Sequence, residues 1–590
     1  MLKWNKAVFS GPEMLKPGPK EAILVANGDR RRTANLSCQK AQLECERQLR
    51  AAFEKQGWKL LRAHPEVDPE LGHCFIETQA QGRDIFARIP KDAPVVVAEA
   101  VWQYSNHVAY NLWEHRGPIL VASNFDGRWP GLVGALGLAA CLTKHAWSRE
   151  QKGHSLLWSS EEFKDKESVK KLKEWLAKGA ITHDMSHARE FGEADKALLP
   201  AVKFGEAAAQ DFRARPRIIG LYDPLCMGMI NAAFDEHDML GLGIQLRRLN
   251  QSDLYARMQD IPRREALGYI KWLVDRGFKL AIGSDPFREI TESAVVESGR
   301  MYAAMARHLA EERLDGLGIA YQLGLARLTA ASDLAEAMLN SSDRPPVEYR
   351  GAAVMPGEPI MCANEADMGC AVDQTLSKFI YRATGLPPRL WETTQHDVRW
   401  GETYKGQAKF TGKGKLKVEA FLWAFELSGN TPAGHAERGW ADMEATRQAY
   451  EFFVEGGICT KCTARPGELV WSRVYVDGGR FCLDVGRGAA LELPEAESRH
   501  RWDATTEQWP LMHALLYGVS RDQLMARHRS NHITVSYAPD PESANSIAIA
   551  KAAMARALGM KVFLCGDFSA EASLSHKAAK GLPVEGPFEK

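Results

Sequence analysis

Residues 466–494 read PGELVWSRVYVDGGRFCLDVGRGAALELP, two strand-like runs meeting at Asp477-Gly478-Gly479. An aspartate followed by two glycines suits the positive backbone angles of a tight turn, so the stretch predicts an antiparallel hairpin. Residues 409–423, KFTGKGKLKVEAFLW, carry the same alternation and glycine punctuation. Together they predict an antiparallel sheet or small barrel attached to the last α/β region of the chain. Beyond it, SANSIAIAKAAMARALGM (543–560) reads as a helix and KVFLCGD (561–567) as a closing strand.

Toward the amino terminus the texture differs. EAILVANGD (21–29) is an apolar run ending in turn residues, residues 37–57 have helical character, and PVVVAEAVW (94–102) and PILVASNF (118–125) are further apolar runs. Strands buried on both faces and alternating with helices predict a parallel sheet. A second α/β segment opens near RIIGLYDP (217–224), and SSDRPPVEYR (341–350) reads as a connection. The expected fold is therefore α/β and multidomain: two N-terminal α/β sandwich domains (1–170 and 171–350), then a C-terminal α/β region with an antiparallel β-barrel (351–590).

Composition narrows the function. A chain of 590 residues is expected to form two to four domains. Its 75 basic and 75 acidic residues cancel, which argues against a general electrostatic grip on nucleic acid or an anionic membrane. The basic run Arg30-Arg31-Arg32 is too short to change that. The opening residues lack a signal-peptide pattern, no apolar run is long enough to span a bilayer, and 11 cysteines form no dense framework, so a reducing cytoplasm is expected. Cys459 and Cys462 form a lone CxxC, better read as structural thiols than as a zinc site. No GxGxxG or Walker pattern supports a nucleotide site.

Chemistry-bearing residues follow or adjoin short apolar or β-prone runs: Glu365 and Asp367 in PIMCANEAD (359–367), Glu392 and Asp397 in PRLWETTQHD (388–397), and Asn531 and His532 in RSNHITVSYA (529–538). An α/β domain exposes side chains at the carboxyl ends of its strands. Two carboxylates and an imidazole suit a divalent cation such as Mn²⁺. Glu365, Glu392 and His532 are the preferred metal ligands, and Asn531 offers an amide to a substrate hydroxyl. Taken alone, either acid of the first motif reads equally well as a salt-bridge partner or a helix-start acid. Trp102 and Trp509 offer flat apolar faces to a sugar, although tryptophans also simply fill cores.

The tail RSNHITVSYAPDPESANSIAIAKAAMARALGMKVFL (529–564) resembles the end of the L-fucose isomerases. PIMCANEAD is similar to the family segment carrying its first metal glutamate, and LAEAMLNSS (334–342) to the stretch before it. GGICTKCTARPGELVWSRV (456–474) resembles the run leading into the family's C-terminal barrel. RRRTANLS (30–37), SNFDGRWPG (123–131) and CMGMINAAFDEHDMLGLGIQLRRLNQSDL (226–254) extend the ordered matches over most of the chain. The resemblance implies reversible aldose–ketose isomerisation of L-fucose, D-arabinose or a related sugar, with Mn²⁺, in a cytoplasmic hexamer of three-domain subunits. It implies that Gln322 in AYQLG meets substrate, that Arg30 and Arg31 are candidates for the family's substrate arginine, and that Trp102 reaches a neighbouring subunit's site.

One motif departs from the family. Its second metal carboxylate is an Asp in Phe-Ala-Asp-Val-Arg, whereas this chain reads LWETTQHDVRW. Position after the strand picks Glu392; the Asp-Val-Arg triplet picks Asp397. The strand-end argument favours Glu392, with Asp397 the rival catalytic carboxylate. The expected reaction passes through a cis-enediol, with carboxylates moving protons beside a metal-polarised carbonyl. The competing expectations are a metal-free glycosidase using two carboxylates and a noncatalytic sugar-binding protein.

Overall fold

The apolar runs near the amino terminus form a five-stranded parallel sheet. The computed structural model describes residues 11–100, 106–125, 131–145, 153–192, 199–225, 228–322, 324–411, 413–580 and 582–585. The strands of this first sheet are β1 (Glu21–Ala26), β2 (Lys59–Arg62), β3 (Val95–Glu99), β4 (Ile119–Asn124) and β5 (His154–Ser159), in the order β2-β1-β3-β4-β5. Every residue of β3 is buried, because helices cover both faces of the sheet and leave no wet side for polar alternation. Phe53, Leu49 and Trp175 pack against the strand side chains Leu24, Val96 and Leu120.

The chain divides into two units, Met1–Thr182 with Met227–Ile230, and His183–Cys226 with Asn231–Lys590. In chain order the second contains β6 (Ala188–Glu190), β7 (Arg217–Tyr222), β8 (Ile244–Leu249), β9 (Gly316–Ile319), the small hairpin β10 (Glu348–Tyr349) and β11 (Ala352–Ala353), and β12 (Cys362–Asn364). The long β13 (Thr394–Phe410) and β14 (Lys413–Glu426) follow, then the ribbon β15 (Glu444–Arg447) and β16 (Ile458–Lys461). The last strands are β17 (Gly467–Asp477), β18 (Arg480–Leu491), β19 (Leu511–Leu516), β20 (His532–Ala538), β21 (Lys561–Cys565) and β22 (Val584–Glu585).

Strands β12-β9-β7-β8 form a four-stranded parallel sheet, which draws strands from both sides of residue 350. The expected hairpin is present as β17 and β18, paired from Gly467↔Ala490 to Asp477↔Arg480, with Gly478 and Gly479 at φ of 56° and 75° in its turn. These strands belong to a closed six-stranded antiparallel barrel, β17-β20-β13-β14-β19-β18, which returns to β17. Closure leaves no unpaired edge, the usual liability of an antiparallel sheet. The fold is thus mixed α/β with several sheets and a barrel in the C-terminal half, as the sequence predicts.

Helix Pro541–Ala557 lies against the barrel and against helix Leu199–Ala214. The two helices approach so closely that a Cβ on Gly205 would meet the carbonyl oxygen of Ala550 at 2.2 Å. Among the described residues no helix is long and apolar enough to cross a membrane.

Candidate metal and acid–base centre

Three chain segments converge on His532. The first leaves β12 at Asn364 and turns sharply: Glu365 and Ala366 both have left-handed backbones, at φ of 58° and 48°. Two consecutive non-glycine residues in that region store strain, which the surrounding structure must hold. Asp367 then caps helix Met368–Thr384, its side chain accepting from Cys370 N at 3.0 Å. The second segment is the start of β13 and the third the start of β20; antiparallel register sets Asp397 directly opposite His532. A bulge between Val398 and Trp400 follows Asp397 in the pairing with β14. Bulges of this kind re-aim side chains locally.

The two ring nitrogens of His532 face different company. Nδ1 lies 2.8 Å from Asp367 Oδ2, which also accepts from Arg473 Nη1 at 2.8 Å. The Cys370 thiol joins this side, 3.0 Å from Arg473 Nη1. Asp367, Cys370 and His532 each offer one donor atom within 4.8 Å of the others, a buried cluster capable of holding a metal ion. Arg473 works against a cation on this side, since its guanidinium already neutralises Asp367. Burial pushes the Cys370 thiol up, away from the thiolate that a metal would need.

On the other side, Nε2 lies 3.5 Å from Glu365 Oε2, 3.4 Å from Asp397 Oδ1 and 3.0 Å from the side-chain amide nitrogen of Asn531. Gln322 Nε2 donates to Glu365 Oε1 at 2.7 Å. All these side chains are under 10% exposed. Burial disfavours charge on Asp397 and raises its carboxyl, although His532 and Arg399 oppose the shift. Burial would raise Asp367 too, but the Arg473 charge and the His532 bond outweigh it and hold that carboxyl well below its usual range. Burial alone would lower His532, yet its hydrogen bonds to Asp367 and Cys370 and the Glu365 and Asp367 charges raise it well above an ordinary histidine.

Glu392 stands apart from this group. Its Oε1 accepts from Ser342 N and Oγ at 2.8 and 2.6 Å, and its Oε2 from Gly434 N at 2.5 Å. The carboxylate stitches together three loops, and the acid that the register brings to His532 is Asp397. Glu392 does not stand at a strand end: it lies two residues before Thr394, where β13 begins.

Among the other candidates, Trp509 is 2% exposed, with its indole N–H donated to Gln448 Oε1 at 2.7 Å, so it fills the interior. Arg31 pairs with Asp29 at 2.7 Å and Arg30 is exposed, both within the first unit. Trp102 lies outside the described residues.

Several partners escaped the sequence reading. Glu426, opposite Asp397 on β14, accepts from Thr505 Oγ1 at 2.6 Å and lies 3.3 Å from Arg399 Nε. Glu336 accepts from Asn364 and Asn430 at 2.9 and 2.8 Å and so holds the residue before Glu365. Arg473, the partner of Asp367, also escaped, although a cation inside the apolar run LVWSRVYV was an available signal, since a charge in a buried strand needs an anion opposite. Compared with known protein-family models and with curated protein sequences, the chain matches none.

Proposed function

We propose that this chain is a metal-dependent sugar ketol-isomerase of the L-fucose isomerase type, acting on an aldose such as L-fucose or D-arabinose. The observation that carries the reading is the pair of carboxylates, Glu365 and Asp397, on the Nε2 side of His532 while Asp367 occupies Nδ1. An Nδ1–H held by a carboxylate turns Nε2 toward a metal, which would displace the proton that the surrounding acids favour on the ring, the arrangement that orients most metal-ligating histidines. Two carboxylate oxygens and one imidazole nitrogen fit Mn²⁺, a cation at home with hard and borderline donors. Glu365, Asp397 and His532 would hold it. When bound, it would polarise the carbonyl of an open-chain sugar.

In this reading one of the two carboxylates removes the proton from the hydroxyl-bearing carbon, and a proton is returned to the neighbouring carbon. The hydroxyl proton crosses to the former carbonyl oxygen, so the cis-enediol collapses to the ketose with atoms and charge balanced. The raised carboxyl of Asp397 suits a group that must hold a proton in mid-reaction. Gln322 fixes the rotation of Glu365 by bonding one of its oxygens, and Asn531 stands where it can orient a sugar hydroxyl. The same reading carries a cytoplasmic homo-oligomer, a hexamer by the resemblance, with a small carbohydrate as its partner.

The test is a Mn²⁺-supplemented incubation with aldoses and ketoses, followed by NMR in D₂O. The proposal expects ketose formation with solvent deuterium at the carbon that receives the proton. Conversion with complete retention of the original hydrogen would point to hydride transfer and reject the proton relay. Absence of conversion across the sugar panel would reject the isomerase reading.

A further inference from the structure

We infer that the second unit carries a binding pocket for a phosphorylated small molecule with an apolar or aromatic body, at the end of β12 opposite Glu365. A cavity of about 810 Å³ opens there, within the range of small-molecule sites. Five cations line it: Arg215, Arg217, Arg313, Lys378 and Arg382; only two acids, Asp211 and Asp315, face them. Glu358, 3.9 Å from Lys378 and 3.5 Å from Arg382, leaves the balance positive. Leu309, Leu314, Tyr349 and Phe379 supply the apolar wall.

Arg217 is the most telling of these. Its side chain is 14% exposed, and its Nε has no hydrogen-bond partner among the described residues. The nearest carboxylate, Asp315, is 3.8 Å away, and the guanidinium instead lies over the rings of Phe379 and Phe212, at 4.8 and 5.3 Å. A buried guanidinium donor without an acceptor is costly, and a phosphate oxygen is the acceptor its planar fork fits best. Lys378 adds a second, largely buried cation; its ammonium donates to Pro359 O at 2.7 Å and retains further donors. A phosphate among these groups, with the rest of the ligand against Tyr349 and Phe379, would satisfy both halves of the cavity.

The location makes this an effector pocket rather than part of the substrate site. Met361 lines the cavity, and the chain runs from it through β12 to Glu365. Thr375, Lys378 and Arg382 lie on helix Met368–Thr384, whose cap Asp367 bonds His532 at the other end. A ligand in the cavity therefore presses on the same strand and helix that position the acid–histidine centre.

The experiment is calorimetric titration of the full chain, chelated and without sugar, so that its outcome is independent of the isomerase reading. The probes are phenyl phosphate and adenosine 5′-monophosphate, with inorganic phosphate, phenol and adenosine as their parts. At least one phosphomonoester should bind at least tenfold more tightly than its separate parts. The Arg215→Ala/Arg382→Ala double variant, which alters two exposed side chains and spares the core, should weaken that binding at least tenfold. Arg217→Lys, which keeps the charge but loses the fork, should also weaken it. Failure of both phosphomonoesters to bind, binding equal to that of the dephosphorylated bodies, or unchanged affinity in the double variant would overturn the proposal.

Discussion

Asp367 Oδ2 lies 2.8 Å from His532 Nδ1, and that one contact divides the imidazole into a held side and an offered side. Since an ionised carboxylate only accepts, Nδ1 must be the donor. The acids Glu365 and Asp397 then face the nitrogen left with chemistry to do.

Asp397→Asn should lower turnover by about 10²–10⁴-fold, the range expected when a positioned acid–base group is lost. Glu392→Gln should keep measurable turnover, because Glu392 bonds loops rather than His532. Steady-state rates on the best sugar decide between them, and an inactive Glu392→Gln protein that is folded and metal-loaded would return the role to Glu392.

Metal content separates the two sides of the ring. Glu365→Gln and His532→Ala should sharply reduce bound Mn²⁺, measured by elemental analysis after gel filtration. Asp367→Asn should weaken the metal by roughly 10–100-fold through loss of ring orientation, whereas Cys370→Ala should leave occupancy unchanged. Loss of metal in Cys370→Ala alone would move the ion to the Nδ1 side.

Arg473→Met would leave Asp367 buried beside His532 without its guanidinium; the two partners are 1% and 0% exposed. Breaking a buried pair by removing one member costs about 3–5 kcal/mol. Urea denaturation should show a loss of that order, and a change under about 1 kcal/mol would mean that the pair is not closed in solution.

Glu392 has a distinct pH signature. Burial pushes its carboxyl up to about 7 from an ordinary value of 4.5, against the lowering effect of the Ser342 and Gly434 donors. Between those values the folded chain holds a proton that the unfolded chain has released, so stability from this residue is full below pH 4.5 and lost as pH rises through 7. The stability of the native chain relative to Glu392→Gln should therefore fall from about pH 4.5 to about pH 7 and level off above, on the order of a few kcal/mol in total. A difference independent of pH across that window would show that Glu392 titrates normally.

Much of the architecture was legible because it rests on local pattern. The Asp-Gly-Gly turn between two alternating runs announces β17 and β18 without help from elsewhere, and the unbroken apolar run Val95–Ala98 of β3 announces a sheet covered on both faces. Glu365 lies just past the carboxyl end of β12, as the motif suggests, whereas His532 opens β20 instead of ending a strand. The choice between Glu392 and Asp397 was not legible, since it depends on the register of β13 against β20, a relation between residues far apart in the chain. Arg473 and Glu336 were missed for the same reason: each has a reason to be charged only once its partner, remote in sequence, is beside it.

The pairing of Asp397 with His532 also makes the centre hostage to the pleat. Neighbouring His396 is buried on the alternate face, its ring nitrogens without hydrogen-bond partners among the described residues. Deleting a single residue from the start of β13 would shift the frame of that strand by one, turning a histidine toward His532 and the carboxylate away. The chemistry would be erased although every reacting residue were still encoded, so tolerance to insertion and deletion along β13 should be far lower than tolerance to substitution.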